Sequence, residues 1–129
     1  MQSKVINLDS KTHDYIFAHS SHLPHFASYA LLMTLMDLKE ENISQFSGGG
    51  FGEFLRLASS SPEMWADIFS LNKDNLNVSI ESFINNLNQL KSAVNKNPES
   101  VHALLVDLKN FKEENYWILL QHLKARLVD

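Results

Sequence analysis

Cysteine is absent from the 129 residues, which removes disulfides, a thiolate nucleophile and any cysteine-based zinc site. That absence agrees with a reducing compartment. An excess of positive charge is missing too. Eleven Lys and Arg against 15 Asp and Glu give a net charge of -4, with the basic residues scattered, so no basic stripe is available to neutralise a phosphate backbone and nucleic acid is not an expected partner. No long hydrophobic run occurs either. The longest nearly apolar stretch, Phe26 to Met36, is too short to cross a bilayer, and the opening residues Met1 to Lys11 lack the apolar core of a signal peptide. The expectation is a soluble, cytoplasmic protein with no membrane partner.

Glycine and proline are scarce, at four and three residues, and three of the glycines are consecutive at Gly48, Gly49 and Gly50. So few breakers predict a small number of long helices, and no segment shows sustained strand alternation. A composition of 44% hydrophobic and 20% charged residues is that of an ordinary globular chain, with room for one domain over residues 1–129 and one core. The fold class expected is all-α, a bundle of long helices.

Helix boundaries can be placed from local chemistry. A first apolar segment runs from about Lys11 to Leu38 and is interrupted at Pro24. Proline there removes a backbone donor and crowds the carbonyl near Ser20. The result is either a kink that turns polar side chains toward a cavity or a helix boundary at Leu23. A polar connection, Lys39 to Ser47, leads through the glycines to a short helix over about Phe51 to Ala58. Ser61-Pro62-Glu63 is a start signal, with an N-cap, proline in the first turn and an acidic residue behind it. From it, Met64, Ile68, Leu71, Ile80, Phe83, Leu87, Leu90 and Val94 recur on one face of a helix of roughly 30 residues. Asn97-Pro98-Glu99 opens the last helix, of roughly 25 residues, with Val101, Leu104, Leu108, Phe111, Ile118 and Leu119 on its face. At about 1.5 Å per residue each long helix would approach 40 Å, against a radius of gyration of about 14 Å for so small a domain. Covering them favours a homodimer.

Four polar islands interrupt this pattern: His13-Asp14, Ser21-His22-Leu23-Pro24-His25, the glycine triplet, and the run from Phe54 to Trp65. The spacing of His19, His22 and His25 suggests a metal site, but successive steps of three drift by about 60° around a helix, so the three would not converge. No acidic ligand follows at a suitable interval. His13-Asp14 looks superficially like the signature of metal-dependent phosphohydrolases, without that family's further ligands. Gly48-Gly49-Gly50 lacks the GxGxxG spacing and a preceding strand, so it is no dinucleotide fingerprint, although it permits close approach of a backbone or ligand. Arg56, between Leu55 and Leu57, would need a partner in an apolar surround. That partner is either an anionic ligand held bidentately or Glu53 or Glu63. Trp65 at a helix start is either a pocket wall or plain packing.

Taken in order, these islands resemble the C-terminal helical domain of prephenate/arogenate dehydrogenases, and the match is specific from His13 to about Ile68. The resemblance implies the dimerisation fold of the 6-phosphogluconate-dehydrogenase C-terminal type. It also implies the C-terminal half of a larger enzyme, whose N-terminal nucleotide-binding domain carries NAD or NADP and the catalytic histidine. No catalytic residue, cofactor or metal is then expected in this chain. By the same resemblance His25 contacts the pyruvyl side chain of prephenate, and Ser21 and His13 lie in or near that pocket. Arg56 holds the ring carboxylate, Trp65 helps to wall the pocket, and Gly48, Gly49 and Gly50 form a loop beside it where some members sense tyrosine. Gly52 stands where family members often carry arginine, so any contact made by that arginine is lost. The parent reaction would be the oxidative decarboxylation of prephenate, or of arogenate, in tyrosine biosynthesis. The competing expectations are a stand-alone helical module that binds prephenate or tyrosine without catalysis, and a plain helical interaction protein.

Overall fold

A computed structural model of the chain describes residues 9–38 and 49–128. The expected polar connection and Gly48 therefore lie outside the described residues, as do the side chains of Ile118 and Leu119 on the last helix. Among the described residues every regular element is helical, in agreement with the all-α expectation. They divide into two compact units, one ending at Ser82 and the other beginning at Phe83.

The first unit opens with α1, Ser10–Phe17. Asp9 caps it, accepting from the Thr12 N–H at 2.7 Å, and that bond holds the Asp9 carboxyl below its usual range. Helix α2 covers Leu23–Met36, and between the two the chain stays helical through a wider π-helical turn, Ala18–His22, closed by the Leu23 N–H on the Ala18 carbonyl. Pro24 is thus neither a simple kink nor a boundary. The disturbance is absorbed upstream by one extra residue per turn, and proline falls in the first turn of α2, where its missing donor matters least. Helix α3, Gly49–Ala58, starts earlier than expected and takes Gly49 and Gly50 into its first turn. A side chain on Gly50 or Gly52 would meet nothing within 4 Å, so no close approach accounts for either glycine among the described residues. Leu31, Leu32 and Leu35 of α2 face Phe51, Phe54 and Leu55 of α3.

Ser61 caps α4, Pro62–Leu71, accepting from the Met64 N–H at 3.3 Å, as its sequence signal predicts. The expected 30-residue helix does not form. It breaks at Asn72 (φ -113°, ψ 31°) and resumes as α5, Lys73–Lys96. Asn72 serves both helices: its N–H reaches the Ile68 carbonyl at 3.2 Å and its own carbonyl accepts from Leu76 N–H at 2.9 Å. The break changes the buried face. Leu71 is 88% exposed, while Trp65, Leu76 and Ser79 are buried.

The second unit holds the end of α5 and α6, Pro98–Val128. Asn97 caps α6 through the Ser100 N–H at 2.7 Å, again as predicted, and the helix runs for 31 residues rather than about 25. From Phe83 to Tyr116 no residue is buried, and Leu87, Val94, Leu105, Leu108 and Phe111 are exposed.

Candidate functional site

The chemistry gathers in the first unit, where the π-helical turn and the start of α2 meet α4. The His25 and Trp65 rings stack at 3.6 Å between centroids and 19° between planes. His22 meets the same indole edge-on at 6.1 Å. Phe69, one turn along α4, packs against Trp65 at 5.6 Å, with Phe26 and Tyr29 edge-on to it. The sequence builds this corner simply: His22, His25, Phe26 and Tyr29 recur at three- and four-residue steps, as do Trp65 and Phe69, so each set shares one face.

The hydrogen bonds fix the state of the imidazoles. His25 Nδ1 lies 3.0 Å from the Ser21 carbonyl. A carbonyl only accepts, so His25 carries a proton on Nδ1 and directs Nε2 away from its own backbone. His19 repeats the arrangement on the Tyr15 carbonyl at 2.9 Å. His22 differs. Its Nδ1 faces Asn72 Nδ2 at 3.3 Å, and burial, the largest influence, pushes its pKa below the ordinary 6.5, against the opposing pull of Asp14.

Two buried polar atoms, Trp65 Nε1 and Tyr29 Oη, find no hydrogen-bond partner among the described residues. A buried donor left unmade costs about 1–3 kcal/mol.

Of the expected site residues, the structure brings together His25, Trp65 and Ser21, the last through its backbone carbonyl. His13 stacks on Phe17 at 4.3 Å and lies 3.2 Å from the Asp14 carboxylate. Arg56 is not in the apolar surround that its neighbours suggested. It is exposed, and its Nη2 donates to Glu53 Oε2 at 2.8 Å, one of the two intramolecular partners considered for it. A separate open cleft of about 220 Å³, lined by Asp14, Ser70, Asn72, Lys73, Asp74 and Asn75 among others, holds none of the expected site residues. Asn72, which links that cleft to His22, was missed in the sequence.

Residues 9–109 match the family model of the prephenate dehydrogenase dimerization domain. The chain is 34% identical over 93 residues to a cyclohexadienyl dehydrogenase of Zymomonas mobilis, covering 69% of this chain and 32% of that protein. It is 26% identical over 113 residues to a prephenate dehydrogenase of Bacillus subtilis, covering 84% and 30%. It thus spans about a third of the curated relatives it matches. Among solved structures, a prephenate dehydrogenase of A. aeolicus in complex with hydroxyphenyl propionate and NAD+ superposes with a TM-score of 0.77 at 38% identity, over 89% of this chain and 40% of that one. A Synechocystis arogenate dehydrogenase shares the fold, with a TM-score of 0.78 at 24% identity over 86% and 42%.

Proposed function

The chain belongs to the prephenate dehydrogenase dimerization-domain family, and from that premise we propose that it is the substrate-binding and dimerisation part of such an enzyme, working as a homodimer in the cytoplasm. The reaction is the conversion of prephenate and NAD+ to 4-hydroxyphenylpyruvate, carbon dioxide and NADH. NAD, or NADP in its place, accepts the hydride. The nucleotide is assigned to an N-terminal domain of that enzyme, since this chain corresponds to 40% of the solved relative that carries NAD+. What this chain contributes is binding and orientation.

The observation that carries the reading is the Trp65–His25 stack, with a buried indole N–H that finds no partner among the described residues. The Nε2 edge of an imidazole set against that indole suits a carboxylate or carbonyl oxygen of an aromatic or dienyl acid. His25 keeps Nδ1–H on the Ser21 carbonyl, so to hold a pyruvyl oxygen its Nε2 must take a second proton, and the ring binds that oxygen as an imidazolium. His13 and the Ser21 hydroxyl lie along the same helical run. Arg56 supplies the planar fork for the ring carboxylate. Its exposed pair with Glu53 is of a kind worth about 0.2–1 kcal/mol, which a charge-assisted bidentate bond outcompetes. Gly49 and Gly50, at the start of α3, lie beside the pocket, where tyrosine would act.

Calorimetric titration of the chain with prephenate tests the proposal. Binding that weakens about tenfold or more in His25→Ala supports it, whereas binding of equal strength in wild type and variant, or none at millimolar ligand, defeats it.

A further inference from the structure

Asn72 stands at the break between α4 and α5, and the atoms around it leave its amide only one orientation. Nδ2 lies 2.8 Å from the Asp14 backbone carbonyl, an acceptor only, so the atom there must be the nitrogen. Oδ1 correspondingly accepts from Asn75 Nδ2 at 2.9 Å. The second Nδ2 proton faces His22 Nδ1 at 3.3 Å. With both amide protons engaged, His22 Nδ1 has to accept. A proton on that nitrogen would set N–H against N–H.

We propose that Asn72 is a positioning residue of this site, which keeps His22 neutral with its single proton on Nε2. The inference rests on the reading of the Trp65 corner as the substrate pocket and adds to it a division of labour between two histidines on one indole. His25 keeps Nδ1–H on a carbonyl whether neutral or charged, and remains able to gain a proton on Nε2. His22 loses the Asn72 bond if it gains one on Nδ1. The charge that meets an anionic substrate is thereby directed to His25. The titratable groups around His22 are Asp14 and His13 of α1 and His25 of α2. Helix α4 presents the Trp65 ring, and its C-cap the Asn72 amide. Asp14 alone favours the charged ring, while burial and the two histidines oppose it.

The test is long-range ¹H–¹⁵N NMR of the histidine rings in the chain without ligand. The expected wild-type pattern has the His22 proton on Nε2 alone, with a titration midpoint below 6.5. Asn72→Asp, which exchanges the donor for a carboxylate, is expected to move a proton onto Nδ1 and raise the midpoint above that of the wild type. A wild-type His22 protonated on Nδ1 at neutral pH overturns the proposal, as does a folded Asn72→Asp variant with an unchanged ring pattern. Should that variant lose its helical circular dichroism, the wild-type pattern decides alone. Adding hydroxyphenyl propionate afterwards separates the two claims. Absence of binding with the His22 pattern intact fails the pocket reading and leaves the hold of Asn72 on His22 standing.

Discussion

The two units of this chain use apolar side chains in opposite ways. All the buried residues among those described, Ala18, Ser28, Trp65, Leu76 and Ser79, belong to the first unit, and so do the histidines of the site. From Phe83 to Tyr116 the second unit has none, yet it carries exposed Leu105, Leu108 and Phe111 on a capped 31-residue helix. A helix gains little from propensity alone and is stabilised mainly by packing an apolar face. The first unit meets that requirement within the chain and can hold ring geometry on its packed helices. The second leaves it open, which is what an assembly surface requires.

Trp65→Ala should produce the largest change, because it removes a buried indole and the support of His25. A loss of about 3–5 kcal/mol is expected from chemical denaturation, and a loss below 1 kcal/mol would mean that the stack is peripheral. Phe111→Glu should do the reverse. As an exposed substitution it should alter the stability of a monomer by no more than about 0.5 kcal/mol. If the face is the dimer interface, it should weaken association by about 2 kcal/mol or more. Analytical ultracentrifugation that finds the dimer intact would remove α6 from the interface. Arg56→Lys is expected to leave stability unchanged and to weaken prephenate binding about tenfold, since Lys cannot reproduce the fork. Equal affinity would return Arg56 to a surface pair with Glu53. Ser61→Ala and Asn97→Ala each remove an N-cap and should cost about 1 kcal/mol. Only the first should also weaken ligand binding, because α4 carries Trp65 and α6 carries no site residue. The smallest effect is that of pH. His22 holds its proton less tightly folded than at the ordinary 6.5, so below that value the unfolded chain binds more protons. The contribution of His22 to stability is therefore complete above 6.5 and is lost as pH falls through its lower folded value. A stability curve rising on acidification across that window would contradict the burial of His22.

The all-α class, both proline-marked helix starts and the family were legible in the sequence, because N-caps and ordered motifs are local signals. What it concealed was relational. Asn72 breaks a helix without glycine or proline, through side-chain hydrogen bonds that it donates to Asp14 and His22 and accepts from Asn75 and that no periodicity reveals. Leu71 was assigned to the buried face for the same reason, since the break resets the helical phase. The step from Leu76 to Ile80 and Phe83 was the available sign of a restart. The apolar surround expected for Arg56 is absent because residues one apart on a helix point about 100° from each other, so flanking leucines do not make one. Pro24 announced an interruption, but not that a π-helical turn would absorb it upstream, closed by Leu23 N–H on the Ala18 carbonyl.

The central claim, that within this chain the substrate is held by the first unit, is tested most directly by titrating ¹⁵N-labelled chain with hydroxyphenyl propionate and following every amide, indole and imidazole signal. The expected result is a saturable perturbation centred on the Trp65 indole N–H and the His25 ring, with a proton gained on His25 Nε2 and the α6 amides unmoved. Saturable shifts confined to residues after Phe83, or no shift at Trp65 and His25 under saturating ligand, would contradict it.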